Sequence, residues 1–150
     1  MYLAAFFGSL FVASAAPAEE TVDLDQLTEE CVAKLTPQGL SDDKRSAAAQ
    51  TYVTLTDYLS RAGESGETLK VVRWTGPSYP NRCHRDAEPI EVVSMALVIN
   101  EKGRVASAAV INSTNDCFER EALNTARKWR YESNGILTCQ PGLLRFELAQ

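Results

Sequence analysis

The sequence contains 150 residues, enough for one compact domain and a short additional segment. Hydrophobic residues make up 45% and charged residues 23% of the chain, which excludes low-complexity disorder and a collagen-like fibre. The formal net charge of −5 at pH 7 argues against a dedicated nucleic-acid-binding protein, so the composition indicates a globular protein without naming its activity.

The chain begins with an uncharged apolar run over residues 2–16. Its length fits the hydrophobic region of a secretory signal peptide and is short for a transmembrane helix of about 20 residues. Ala16-Pro17-Ala18 matches the small-x-small cleavage pattern. We therefore expect residues 1–18 to be a signal peptide. One feature of a signal peptide is missing, since no Lys or Arg precedes the run. The alternative, judged by the length of the run, is an uncleaved membrane anchor.

The next segment is acidic and is predicted to be helical. Residues 19–70 carry 11 acidic and 5 basic side chains. Apolar residues at helical spacing predict one helix over residues 23–35, with Asp23 as its N-cap, and a second over residues 42–62, with Ser41 as its cap. Because two helices alone bury little apolar surface, we expect them to pack on the domain that follows.

Strand signals dominate the second half of the chain. Residues 69–74 predict a short strand, and residues 92–100 predict a central strand because they are apolar nearly throughout. Gly103 predicts a turn that leads into a second hairpin strand over residues 105–112. A final strand is predicted over residues 143–148.

A third helix is predicted between the second hairpin strand and the final strand. Asp116 is its expected N-cap, with Glu119 at the capping-box position. Three basic residues fall at its expected end, Arg127, Lys128 and Arg130. There they would compensate the negative end of the helix macrodipole, and the alternative is a phosphate-binding patch.

The order strand–strand–helix–strand predicts the sheet topology. The last strand runs parallel to the second and cannot join it through a hairpin, so it pairs antiparallel with the first. We expect an α+β fold with a three-stranded antiparallel sheet of order 2-1-3 and helices on one face, preceded by a short helical N-terminal segment. This order leaves residues 143–148 at a sheet edge with unpaired backbone groups.

The chain contains four cysteines, which are Cys31, Cys83, Cys117 and Cys139. None forms a Cys-x-x-Cys pair, so neither a thioredoxin-like site nor a zinc ribbon is indicated. An even count in an exported chain predicts two disulfides, with three connectivities open. The alternatives are four buried thiols, or a metal site in which His84 joins Cys83, Cys117 and Cys139. Adjacent Cys and His lack the usual ligand spacing, so we expect no metal and no cofactor.

Candidate catalytic residues are few. His84 is the sole histidine, and a nucleophile such as Cys83 beside its base in sequence rarely faces it. Asp86, Glu88 and Glu91 could pair as acid and base, but a solvated acidic loop before a strand explains them more simply. We therefore expect that the protein is not an enzyme.

Several further features occur in order in the second half of the chain. They are Tyr79-Pro80, the strand-turn-strand VINEKGRV at 98–105, Ser113-Thr114, Phe118 with Ala122, Trp129-Arg130-Tyr131, and Phe146 in the last strand. Together they resemble the C-terminal domain of TonB, the energy-transducing protein of Gram-negative cell envelopes, over roughly residues 76–150. The resulting division is a signal peptide at 1–18, an acidic helical segment at 19–67 and a TonB C-terminal-like domain at 68–150.

The resemblance implies a periplasmic binding module in envelope transport. Family members grip an extended segment of an outer-membrane receptor, which adds as a strand beside the last strand. The partner-binding residues implied for this chain are Leu143, Leu144, Arg145, Phe146, Glu147 and Leu148. The implied partner is a TonB-dependent receptor or another envelope protein, and not nucleic acid.

Three alternatives to this interpretation stay open. The first is a structural envelope protein that pairs with a second copy through the same edge, giving a homodimer. The second is that the charges of Arg145 and Glu147 protect the edge against any pairing. The third is a chain held at the inner membrane by its leader, facing the periplasm.

The chain also departs from a complete transducer. Residues 1–18 contain no His, and the chain lacks a long Pro-rich spacer. We therefore expect a disulfide-linked relative that binds a partner without transmitting force from the inner membrane. The resemblance also implies a Cys83–Cys117 bond, which leaves a Cys31–Cys139 bond to tie the acidic helices to the domain.

Overall fold

The computed structural model describes residues 22–148, so the predicted signal peptide at 1–18 lies outside the described residues. The helices and strands of the described part are α1 (Leu24–Leu35), α2 (Lys44–Ser65), β1 (Val71–Arg73), β2 (Ile90–Ile99), β3 (Val105–Ser113), α3 (Glu119–Ala126), β4 (Arg130–Tyr131) and β5 (Thr138–Glu147). Two short 3-10 turns lie at Asn81–Cys83 and Asp116–Phe118.

The main sheet has three antiparallel strands in the order β3-β2-β5. This is the order predicted from the succession of elements, and it confirms the α+β fold. At the centre of the sheet, Ala96 of β2 lies opposite Ala109 of β3 and Pro141 of β5. Within residues 22–148, β3 and β5 are therefore the two edges of this sheet.

Helices cover both faces of the main sheet. Met95 and Leu97 face the core formed with Phe118 and the helix α3 that follows it. Ala96 lies on the opposite face, where it packs with Leu55 of α2 and with α1. The expectation of helices on one face thus holds for α3 alone, because the N-terminal helical segment covers the other face. This double covering explains why β2 is apolar on both sides.

The two N-terminal helices are capped by aspartates. α1 begins as predicted, since the Asp23 carboxylate accepts hydrogen bonds from two backbone N–H groups of the first turn. α2 begins later than predicted because its cap is Asp43, whereas the Ser41 hydroxyl accepts from the Asp43 backbone N–H. α2 also runs on to Ser65 and ends at Gly66, whose φ is 74°. Residues 63–65, which follow the end predicted for this helix, are therefore helical.

The third helix is shorter than predicted, and Asp116 is not its cap. The Asn115 side chain accepts from the Cys117 N–H and caps a 3-10 turn that precedes α3. After α3, Arg130 and Tyr131 leave the helix and form β4, which pairs antiparallel with β1. The predicted strand over residues 69–74 is therefore part of a second, two-stranded sheet.

Gly103 fixes the position of β4. The Tyr131 N–H donates to the Gly103 carbonyl at 2.8 Å. A Cβ atom at position 103 would lie 2.0 Å from the Tyr131 carbonyl oxygen, and the φ of Gly103 is +81°. Only glycine permits this approach of two backbones at the β2–β3 turn. The contact draws the chain after α3 into an extended conformation.

Two disulfides connect the layers, and they join the pairs that the resemblance implied. Cys31–Cys139 links α1 to β5 across a sequence separation of 108 residues. Cys83–Cys117 links the two 3-10 turns across a separation of 34 residues. The first bond holds the N-terminal helices on the sheet, and the second closes the segment that leads into β2.

Candidate partner-binding edge

The outer edge of β5 has no strand partner among residues 22–148, because β5 pairs only with β2. The backbone of Val92 turns toward β3, since its carbonyl accepts from the Thr114 N–H at 3.0 Å. Arg145 lies opposite Val92 across the β5 ladder, so its backbone groups also point away from that ladder. The Leu148 N–H donates to the Pro89 carbonyl at 3.1 Å, on the β2 side, which fits the same alternation.

The alternation fixes which backbone groups face outward. Leu143, Arg145 and Glu147 direct their N–H and C=O groups to the outer edge, because successive residues of a strand point to opposite sides. Pro141 occupies the same side and has no N–H to donate. The usable edge therefore runs from Leu143 to Glu147.

A side-chain contact joins the beginning of β5 to the segment before β1. The Gln140 side chain accepts from the Leu69 N–H at 2.8 Å and donates to the Leu69 carbonyl at 3.4 Å. This amide makes the two hydrogen bonds that a neighbouring strand would make to Leu69, so it holds the segment before β1 beside the sheet. Pro141, which has no N–H to donate, ends the usable edge on that side.

Five of the six residues predicted for partner binding lie in β5, and they divide into two groups. Leu143, Arg145 and Glu147 lie on the outward-facing positions of the edge. Leu144 and Phe146 are 1% and 2% exposed and belong to the core, where the Phe146 ring lies 4.8 Å from that of Phe118. These two side chains position the strand but present no surface to a partner.

Leu148 lies beyond the end of β5. Its backbone N–H is bonded to Pro89 on the inner side of the strand, and its side chain is exposed. The sequence pattern could not separate it from the edge residues, because all six are consecutive and four of them are apolar.

Charged side chains of the edge pair with each other. The Arg145 Nε atom lies 2.7 Å from the Glu147 Oε1 atom, and the two side chains are 51% and 59% exposed. An exposed pair of this kind is worth about 0–1 kcal/mol, so an incoming chain can separate it at small cost. Tyr52 of α2 lies nearby: burial raises the pKa of its phenol, and the charge of Arg145 partly offsets this rise.

The buried carboxylate of Glu91 stabilises the sheet beside the C-terminal half of β5. Glu91 is fully buried and lies opposite Phe146 in the ladder. Its Oε1 atom accepts from Arg45 at 2.7 Å, and its Oε2 atom accepts from the Thr114 hydroxyl at 3.1 Å. Glu91, considered above as a catalytic acid, is thus a structural link between α2, β2 and β3.

The remaining catalytic and metal candidates do not assemble into a site. Cys83 is bonded to Cys117, so its sulfur is not a free nucleophile. His84 is exposed, and its ring meets the Tyr79 ring edge-on at 6.2 Å. Among residues 22–148, no group of three or more His, Cys, Asp or Glu side chains could hold a metal ion. In the same part of the chain, no helix has the length and apolar character needed to cross a membrane.

Comparison with known proteins gives a family match in the second half of the chain. Residues 75–136 match the family model described as the Gram-negative bacterial TonB protein C-terminal. This confirms the resemblance predicted from the sequence for that part, and the matched region ends just before β5. No curated protein matches the chain.

Two solved structures are similar to part of the chain. One is the solution NMR structure of the Pseudomonas aeruginosa TonB C-terminal domain, with 23% identity, a TM-score of 0.41, and coverage of 55% of this chain and 86% of that one. The other is the TonB2 protein from Vibrio anguillarum, with 23% identity, a TM-score of 0.42, and coverage of 55% and 83%.

Proposed function

We propose, from the premise that residues 75–136 belong to the TonB C-terminal domain family, that this protein is a periplasmic binding module of TonB-related envelope transport. It captures an extended segment of an outer-membrane receptor, or of another envelope protein, as an added strand along Leu143–Glu147. The observation that carries the proposal is the outward-facing row of backbone groups on β5, which no strand of residues 22–148 covers. The proposed role is binding and not catalysis.

The number of available backbone groups sets what the partner must supply. The edge offers three N–H and three C=O groups, each worth about 0.5–1.5 kcal/mol net when paired. Ordering five partner residues costs about 1–2 kcal/mol each. Backbone pairing and ordering therefore nearly cancel, so side-chain contacts of the partner must provide the affinity and the selectivity.

The regularity of β5 distinguishes it from the other edge. The β5–β2 ladder runs from Ile90–Glu147 to Ile99–Thr138 without a register shift. The β3–β2 ladder is interrupted twice, between Ser94 and Met95 and between Val98 and Ile99. Irregularities of this kind twist an edge and discourage strand addition. The uninterrupted edge of β5 supports its role as the template.

A second candidate function is self-association through the same edge, and the charges of the edge favour it. In an antiparallel pairing of two β5 strands centred on residue 146, Arg145 of one copy lies opposite Glu147 of the other, and the reverse. Both residues direct their backbone groups outward, as hydrogen-bonded pairs require. Opposite charges in directly opposed positions stabilise such a pair.

The test uses a proline that blocks the edge. Arg145→Pro removes one outward N–H and projects a ring into the path of an added strand, whereas Arg145→Ala removes the same charge and leaves the backbone free. The probes are synthetic peptides that cover the periplasm-facing segments of the TonB-dependent receptors of the same organism, with binding measured by fluorescence polarisation.

We expect at least one peptide to bind both the parent protein and the Arg145→Ala variant. Its dissociation constant for Arg145→Pro should be at least tenfold higher, because a tenfold change corresponds to about 1.4 kcal/mol of lost hydrogen bonding. Sedimentation of the same variants tests the second candidate, which requires a dimer that Arg145→Pro dissociates. A protein that binds no peptide and stays monomeric contradicts both candidates.

A further inference from the structure

An open groove lies beside the beginning of β5, where the usable edge ends. Its volume is about 280 Å³, and it is lined by parts of the chain that are distant in sequence. The side chains that shape it include those of Leu59 in α2, Val71 in β1, Trp74, Tyr131 in β4 and Leu143 in β5. We call it the Trp74 groove. Small-molecule sites have volumes of about 300–1,000 Å³, so a groove of this size suits one amino-acid side chain better.

A fixed aromatic ring holds one wall of the Trp74 groove in place. Trp74 is 57% exposed, and its ring stacks on that of Trp129 with 6.1 Å between the ring centroids. Trp129 is buried and donates its indole N–H to the Thr75 carbonyl at 2.9 Å. The groove is therefore formed before any partner binds, which lowers the entropic cost of binding.

The lining of the groove selects the chemistry of its occupant. Among the described residues that line it, none is charged. The Gln140 amide, which is part of the lining, is already bonded to the Leu69 backbone on both sides. A charged side chain placed here would lose its water without gaining a charged partner, which is unfavourable. An apolar side chain would instead remove its own surface and that of Trp74 from water, so the groove favours an uncharged apolar occupant.

Leu143 connects the Trp74 groove to the β5 edge. Its backbone N–H and C=O groups point outward along the edge, and its side chain lines the groove. Pro141 and Gly142, which precede it, also line the groove. Because Pro141 has no N–H, regular strand pairing stops there. A chain that pairs along Leu143–Glu147 therefore reaches the groove at the point where its backbone pairing ends.

We propose that the Trp74 groove is the side-chain subsite of the β5 edge, and that it binds one uncharged apolar side chain of the chain that adds to this edge. This assignment rests on the proposed function, and it identifies where the affinity that backbone pairing lacks is gained. The other outward-facing positions of the edge, Arg145 and Glu147, carry an exposed ion pair and contribute little. We expect the anchoring side chain at, or just beyond, the partner residue that lies opposite Leu143.

The experiment introduces the same charge at two adjacent positions of β1. Val71→Glu places a carboxylate in the groove, whereas Val72→Glu places it on the next residue, which is not part of the lining. Both valines are exposed, at 48% and 67%, so both variants leave the core intact. Trp74→Ala is a second groove variant. The full chain, produced with export and purified as the cell processes it, is used throughout, and circular dichroism with thermal unfolding establishes that each variant folds.

The first readout is the dissociation constant of the receptor peptide that binds the parent protein most tightly, measured by fluorescence polarisation. We expect Val71→Glu and Trp74→Ala to raise it by about tenfold or more, as the loss of a buried apolar contact would. Val72→Glu should change it by less than about threefold in about 0.15 M salt, because screening weakens the effect of an exposed charge. Replacing the anchoring residue of the peptide by alanine should also raise it by about tenfold, and this loss should not add to that of Trp74→Ala, because both changes remove the same contact.

The second readout requires no receptor peptide. The chain contains two tryptophans, and both line the groove, so their indole N–H signals in nuclear magnetic resonance spectra report on it directly. N-acetyl-leucinamide and N-acetyl-phenylalaninamide should shift these signals in the parent protein and in Arg145→Pro. N-acetyl-lysinamide should not shift them, because its charge would be desolvated.

The outcomes separate the groove from the edge. Peptide binding that is lost in Arg145→Pro and unchanged in both groove variants would overturn the subsite and leave strand addition in place. Shifts with the apolar amides in a protein that binds no peptide would support the apolar chemistry of the groove and contradict strand addition. An equal response to all three amides, no response to any of them, or a dimer that Val71→Glu dissociates would each overturn the proposal, the last because a second copy would then occupy the groove.

Discussion

Proline substitutions at two neighbouring positions of β5 should differ sharply in their effect on stability. Leu144 and Arg145 are adjacent, but their backbone groups point to opposite sides of the strand. The N–H of Leu144 points to β2, opposite Val93, whereas the N–H of Arg145 points to the open edge. A proline therefore breaks a ladder hydrogen bond at position 144 and none at position 145.

Alanine variants separate the backbone effect from the side-chain effect. Leu144 is 1% exposed, so Leu144→Ala should cost about 2–5 kcal/mol through the lost packing and the cavity. Leu144→Pro should cost about 1–3 kcal/mol more, because a buried carbonyl of β2 loses its donor. Arg145→Ala and Arg145→Pro should lie within about 1 kcal/mol of each other, since no internal bond is lost.

Urea unfolding followed by circular dichroism measures all four variants against the parent protein. The informative quantity is the difference between Pro and Ala at each position, because it cancels most of the side-chain contribution. Equal proline penalties at positions 144 and 145, or a larger one at 145, would refute the backbone orientation on which the open edge depends.

Three further predictions concern the supports of the fold. Gly103→Ala should lower the melting temperature far more than Gly135→Ala. Both glycines have positive φ, but only at position 103 would the Cβ atom meet a backbone oxygen. Equal decreases in melting temperature would contradict this contact. Burial raises the pKa of Tyr131 to about 12, above its usual value of about 10. The folded protein therefore holds this proton more tightly, so the free energy of unfolding should fall as pH rises between about 10 and 12, by roughly 2–3 kcal/mol, and Tyr131→Phe should remove this fall. Arg45→Ala leaves the fully buried carboxylate of Glu91 without its ion-pair partner and should lower the free energy of unfolding in urea by about 3–5 kcal/mol. Arg61→Ala removes an exposed ion pair and should lower it by less than about 1 kcal/mol. Similar decreases would contradict the role of Glu91 as a structural link.

The sheet order and the main strands could be predicted because they follow from local patterns and chain connectivity. The apolar run at 92–100 and the turn at Gly103 defined the hairpin. The helical crossover makes the last strand parallel to the second, which excluded a hairpin return. Asp23 was identified as a cap because capping depends on a few neighbouring residues. These signals depend on residues that are close in sequence, so they can be identified without the structure.

Features set by distant contacts could not be predicted in the same way. β5 begins at Thr138 because Pro141 lies on the open side of an edge strand and Gly142 fits against Leu97, where a Cβ atom would lie 2.9 Å from Leu97 Cδ1. In the sequence, Pro and Gly in succession indicate a loop. The position of Tyr131 in β4 likewise depends on a contact with Gly103, which is remote in sequence.

The candidate edge was located in the sequence, but not the direction of its backbone groups. That direction depends on register, which the bond of Val92 with Thr114 fixes. The placement of Arg73, Arg130 and Arg104 side by side had no sequence signal, because only the pairing of distant segments brings them together.

The Cys31–Cys139 bond has a consequence for the order in which the disulfides form during folding. If the chain is exported N-terminus first, as we propose, Cys31 enters the oxidising compartment before Cys83 and Cys117, and its native partner Cys139 follows both of them, 108 residues after Cys31. A direct route to the native pairs then requires the Cys31 thiol to stay unpaired until Cys139 arrives, and any earlier bond of Cys31 with Cys83 or Cys117 has to be rearranged by thiol–disulfide exchange. Under that proposal, formation of the native pairs depends on the timing of oxidation as well as on the final energy of the fold.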